Sequence, residues 1–146
     1  MDSGLRRNDE HLTKPLRKIQ EMSSMSRVSD IHHINVGIRD RERTSAWYQK
    51  VFDAEPIEHP RQLELRLGSS EIHCHVTPEP AYLETNHFAL EIPDWEGMMA
   101  HLTAVQVPFD GDRPPGVRKD TDGHHYAYLR DPDGNLIELI HHPERW

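Results

Sequence analysis

Residues from His33 read HINVGIRDRE, and residues from His87 read HFALEIPDWE. Laid over each other, His33 falls on His87, Ile34 on Phe88, Val36 on Leu90 and Ile38 on Ile92, with Asp40 on Asp94 and Glu42 on Glu96. A match of this kind inside one chain marks a duplicated unit, far longer than the repeat of a short solenoid. It constrains the fold more than any other feature, because whatever the first copy builds the second should build again.

Each copy changes period part-way. Ile34, Val36 and Ile38 alternate with His33, Asn35 and Gly37, the pattern of a strand with one apolar face. Asp40 can then cap a helix over 41–52, with Trp47/Val51 and Tyr48/Phe52 as i,i+4 pairs. Phe88, Leu90 and Ile92 repeat the strand, and Asp94 caps a helix whose apolar side holds Met98, Leu102 and Val105. Glu42 and Glu96 both fall in a first turn, where the helix dipole favours an acid.

Strand-like pieces follow each helix. The first copy has them near 55–59, then QLELRL and EIHCHV; the second has them near 107–109, then HHYAYLR and NLIELIH around DPDG. Pro132 and Gly134 suit a three-residue hairpin loop, a register that sets Asp131 opposite Asn135 and Tyr128 opposite Glu138. The fold class expected is α+β: two paired βαβββ modules, about 30–80 and 85–142, in one domain spanning 30–146. The apolar strand faces pack under the helices, and the opposite faces form a curved mixed sheet around a cleft.

Composition narrows the possible partners. A length of 146 residues suits one compact domain, and no apolar run is long enough to span a membrane. A net charge of -8 argues against general nucleic-acid binding. Cys74 is the single cysteine and the start lacks an apolar leader core, so a cytoplasmic location is expected. Residues 1–29, polar and without a period, read as a disordered or loosely attached extension, with Met25 as a second candidate start.

Of the twelve histidines, His33 and His87 stand out, because they occupy matching places on the face away from the apolar one. In EIHCHV the polar set Glu71, His73 and His75 shares that face. Glu138 sits among aliphatic neighbours, where an unpaired carboxylate is costly. A metal ion would compensate it, and so would an arginine such as Arg130. The plain alternative for His33 and His87 is a pair of satisfied histidines near a sheet edge. His124/His125 and His141/His142 read as surface residues.

With HHINVGIRDRERTSAWYQKVF, NHFALEI and YLRDPDGNLIEL in view, the chain resembles the vicinal oxygen chelate superfamily over roughly 30–142. That superfamily includes glyoxalase I, fosfomycin-resistance thiol transferases, extradiol dioxygenases and bleomycin-binding proteins. The resemblance implies His33, His87 and Glu138 as ligands of one divalent ion (Fe, Mn, Ni or Zn). It puts His73 where glyoxalase I has a fourth ligand, as a further ligand or a catalytic group. Tyr128 falls at a catalytic tyrosine, and Asn35 and Arg118 are the candidate substrate-binding residues.

Three functions follow from the resemblance. The first is a Lewis-acid lyase, isomerase or transferase acting on vicinal oxygens of a small molecule. The second is an Fe(II) extradiol-type dioxygenase, although 119–121 read Lys-Asp-Thr where a catalytic histidine belongs. The third is an antibiotic-binding resistance protein without chemistry. Fosfomycin transfer itself is set aside, since KDTDGHH replaces the potassium-site loop. A homodimer is expected, with modules paired within a chain or exchanged between chains.

Overall fold

A computed structural model describes residues 31–81, 86–119 and 123–145. The extension expected at 1–29 lies outside the described residues. The first module begins with β1 (His33–Ile38), whose buried Ile38 and partly buried Ile34 and Val36 join the core while His33 and Asn35 are exposed. Asp40 then caps α1 (Arg41–Phe52): its backbone is extended, and its carboxylate accepts the Arg43 N–H at 2.8 Å. The helix stops at Asp53, whose φ of 54° is left-handed. β2 (Glu55–Ile57), β3 (Leu63–Leu67) and β4 (Ser70–Val76) complete the module.

The second module repeats this order with β5 (Phe88–Glu91), α2 (Trp95–Ala104), β6 (Gly116–Val117), β7 (His125–Arg130) and β8 (Leu136–His141). Asp94 caps α2 by accepting the Gly97 N–H at 2.9 Å. The sheets run β1-β4-β3-β2 and β5-β8-β7-β6. In each, the first strand lies parallel to the last and the other neighbours are antiparallel. The architecture is therefore the expected α+β fold, built as two four-stranded mixed sheets with one helix each.

One core serves both modules, with Tyr48, Leu65, Ile72 and Cys74 from the first and Leu102, Leu129, Ile137 and Leu139 from the second. Its seam is polar. The turn between β7 and β8 is gripped by the first half of α1 and the end of β1. The fully buried Asp133 carboxylate accepts from the Arg39 N–H (3.1 Å), Arg43 Nη2 (2.7 Å) and the Thr44 hydroxyl (3.3 Å). Asp131 accepts from the Tyr48 hydroxyl at 3.1 Å, and the Asn135 amide donates to the Gly37 carbonyl at 3.1 Å.

The hairpin has the three-residue loop: Gly134 stands at φ 93°, the Asp131 N–H bonds the Asn135 carbonyl, and Tyr128 pairs with Glu138. The strand expected at 107–109 does not form. The Val107 N–H instead bonds Leu102 O at the end of α2, Pro108 has no N–H to offer, and β6 lies at Gly116–Val117. β2 likewise stops at Ile57, short of the expected residue 59.

Cys74 is fully buried, and burial first, then the charges of Asp131 and Asp133, push its thiol up to about 12. Ellman's reagent at pH 8 should therefore label it only as fast as the chain unfolds. Rapid labelling of the native protein would contradict the packing of β4 described above. Among the described residues, no helix is long and apolar enough to cross a membrane.

Candidate metal centre

Alternation along β8 sends Ile137 and Leu139 into the core and Glu138 to the other face. The register with β7 stands Tyr128 across from it, and β5 runs parallel beside β8, with His87 one residue before the strand. The Glu138 side chain is 7% exposed, which makes its partners decisive. Oε1 accepts from the Tyr128 hydroxyl at 2.8 Å and Arg118 Nη2 at 3.2 Å, while Oε2 lies 2.9 Å from His87 Nε2. Burial, then the hydrogen bond to Glu138, raises the Tyr128 hydroxyl, so it keeps its proton at neutral pH.

Arg118 reaches Glu138 from just beyond β6, its guanidinium 5.7 Å from the centre of the Tyr126 ring. Gly116 makes room for that ring, since a Cβ there would stand 2.7 Å from the Tyr126 oxygen. Tyr126 was not singled out in the sequence; its only sign there is its place two residues before Tyr128. Arg130, weighed above as a partner for Glu138, bonds Asp110 at 2.8 Å and the Gly134 carbonyl at 2.9 Å.

In the first module, His33 on β1 stacks on His73 of β4, with ring centres 3.9 Å apart and planes 8° from parallel. His32 closes on them edge-on, its Nδ1 3.0 Å from that of His33. Asn35 pairs in register with His73 and is exposed. His73 Nε2 lies 3.0 Å from Glu71 Oε2. That hydrogen bond is the main reason the Glu71 carboxyl is held below its ordinary range.

The residues inferred from the sequence thus gather in two clusters. His87, Tyr128, Glu138 and Arg118 meet on the second sheet, and His33 and His73 meet on the first. Among the described residues, no group of three ligand atoms within 4.8 Å joins His33 to His87 and Glu138. Two hollows of about 320 and 370 Å³ lie elsewhere, around Asp110 and Arg130 and beside Trp95 and Met99. The histidines read as surface residues are half-buried instead: His142 is 2.6 Å from Glu91, and His124 is 3.2 Å from Glu144.

His87 and Glu138 offer two donor atoms of the kind a divalent ion takes. His87 Nε2 and Glu138 Oε2 already stand at 2.9 Å, close to the separation of neighbouring ligands whose bonds to an ion are about 2.0–2.2 Å. Imidazole with carboxylate suits Fe, Mn, Ni or Zn.

The family model of the Glyoxalase/Bleomycin resistance protein/Dioxygenase superfamily matches residues 30–139. The chain belongs to this superfamily. A search of curated protein sequences finds no match. Among solved structures, the superfamily fold is shared with the fosfomycin resistance protein FosX from Listeria monocytogenes. That match has a TM-score of 0.67 and 22% identity, over 81% of this chain and 97% of that one. Lactoylglutathione lyase from Agrobacterium tumefaciens matches at 0.65 and 18%, over 83% and 98%. TioX from Micromonospora sp. ML1 matches at 0.63 and 18%, over 78% and 99%. At such identities the likeness shows the fold alone.

Proposed function

We propose that this superfamily member is a cytoplasmic, glyoxalase-like enzyme that uses one divalent ion on a small substrate with neighbouring oxygens. The reaction is of lyase, isomerase or transferase type. The observation that carries the reading is the convergence of His87, Tyr128 and Arg118 on the buried Glu138 carboxylate. His33 supplies the remaining ligand. When bound, the ion polarises a substrate oxygen as a Lewis acid. Tyr128, protonated at neutral pH, donates a hydrogen bond on the substrate side, and Arg118 offers positive charge to an anionic group. Asn35 offers an amide to the substrate from the first sheet. His73, stacked on His33, stands where a fourth ligand or a proton-moving group would act.

Because His33 and the His87/Glu138 pair stand on different sheets and share no group of ligand atoms among the described residues, the reading includes a homodimer. In it, the first sheet of one chain faces the second sheet of its partner and completes the site. The outer edges of β1 and β5, which have a strand neighbour on one side among the described residues, fit such an arrangement.

The test is elemental analysis of untagged protein, wild type against a His33→Ala/Glu138→Ala variant. Wild type should hold one equivalent of Fe, Mn, Ni or Zn more than the variant. Equal content in both, after incubation with each ion, would remove the enzyme reading and favour a protein that binds small molecules without metal. Iron as the native ion would favour the dioxygenase reading.

A further inference from the structure

A second group of ligand atoms lies on the first sheet and involves neither His33 nor the second module. β3 and β4 run antiparallel with Glu64 opposite His73 and Arg66 opposite Glu71. Leu63, Leu65, Ile72 and Cys74 take the buried face, so Glu64, Glu71 and His73 share the other. One donor atom from each lies within 4.8 Å of the other two. His73 Nε2 is 3.0 Å from Glu71 Oε2 and 3.9 Å from Glu64 Oε1. The three side chains are only 13–16% exposed.

Two carboxylates and an imidazole share this largely dry face, and one cation could bind all three. Permanent positive charge nearby is sparse. Arg66 comes no nearer than 3.8 Å to Glu71 and also lies 3.5 Å from Glu55. Glu64 accepts from the neutral Gln62 amide at 2.6 Å and faces the His59 and His73 imidazoles at 3.9 Å. Among the described residues, no lysine or arginine comes within ion-pairing distance of Glu64.

We propose that this face binds a divalent first-row cation of its own, through Glu64 Oε1, Glu71 Oε2 and His73 Nε2. One imidazole with two carboxylates suits Zn(II), Mn(II) or Fe(II). Ligand atoms bonded to such an ion at about 2.0–2.1 Å stand about 3.0–3.4 Å from one another. The Glu71–His73 pair already has that spacing. Glu64 reaches it by a small turn of its terminal torsion, which has a broad minimum. His73 Nδ1 lies 3.4 Å from the Gln62 amide nitrogen. The same amide nitrogen donates to Glu64 Oε1 at 2.6 Å, so one side chain orients both Glu64 and His73. His73 then serves an ion of its own rather than the one at His87 and Glu138, and this ion can be held whether or not that site is occupied.

The full-length untagged chain, stripped by chelator and titrated with zinc, tests this by counting zinc retained after gel filtration. Two equivalents are expected for wild type and one for Glu64→Gln/Glu71→Gln, which keeps shape and removes charge. One is also expected for His87→Ala/Glu138→Ala, which leaves the first sheet untouched and so serves even if the glutamine pair folds poorly. Wild-type stoichiometry in a folded Glu64→Gln/Glu71→Gln protein would overturn the proposal. So would a single wild-type equivalent that disappears in His87→Ala/Glu138→Ala. A single equivalent lost only with the glutamine pair would uphold this cation and remove the site at Glu138.

Discussion

Chains carrying His33→Ala, refolded together with chains carrying Glu138→Ala, are expected to regain a metal site that neither forms alone. Glu64→Gln and Glu71→Gln in both chains would limit the count to this site. If each site takes His33 from one chain and His87 with Glu138 from the other, a mixed dimer holds one intact site and one doubly broken one. Random pairing then restores about a quarter of wild-type occupancy, the statistical yield for a two-fold dimer. The recovery starts from nothing, so even this fraction is easily measured. The geometry behind it is the gathering of candidate ligands into two groups on two sheets, with no cluster of three spanning them among the described residues. No recovery beyond the separate variants would place His33 and Glu138 in one chain's site, or His33 in none.

Asp133→Ala should cost about 3 kcal/mol of stability, the scale of a buried charged group removed from its donors. The carboxylate side chain is completely buried and ties the backbone of Arg39, the guanidinium of Arg43 and the hydroxyl of Thr44 to one turn. Its loss strands the fully buried Thr44 hydroxyl and loosens the grip of α1 on the second module. For a domain of this size the melting temperature should fall by about 10 °C. Arg43→Ala should cost far less, because that side chain is 48% exposed and Arg39 remains beside Asp133. Calorimetry on the two variants gives the comparison, and similar melting temperatures for both would refute the ranking.

Several elements were legible in the residues because the rules that make them are local. Asp40 and Asp94 cap their helices, and Asp-Pro-Asp-Gly sets a loop length that puts Tyr128 against Glu138. The duplicated strand–helix start doubled the value of each such sign. β6 escaped notice because two residues, Gly116 and Val117, are too few to show a period. The Asp133 clasp escaped too, since its donors come from α1 and Arg39 just before it, on the other module, and nothing beside Asp133 announces them. Alternation placed His33 and Glu138 on sheet faces, yet it carries no information on how two sheets meet. Glu64 had no sign of its own, as its pairing with His73 depends on the register of β3 against β4.

Among the described residues, β1 and β5 each have a strand neighbour on one side, and the other rim can be timed. Alternate amide protons of β1 and β5 point away from β4 and β8, their strand neighbours among the described residues. In a lone chain those protons should exchange with deuterium almost as fast as in a loop, while the inward set in the same strands stays slow. If a second copy covers the rims, the fast set should slow down as protein concentration rises. A strand such as β5, four residues long, also offers little template for uncontrolled edge pairing. The same shortness that limits aggregation would leave assembly to side chains such as His33 and His87, so that dimer strength and metal supply would rise and fall together.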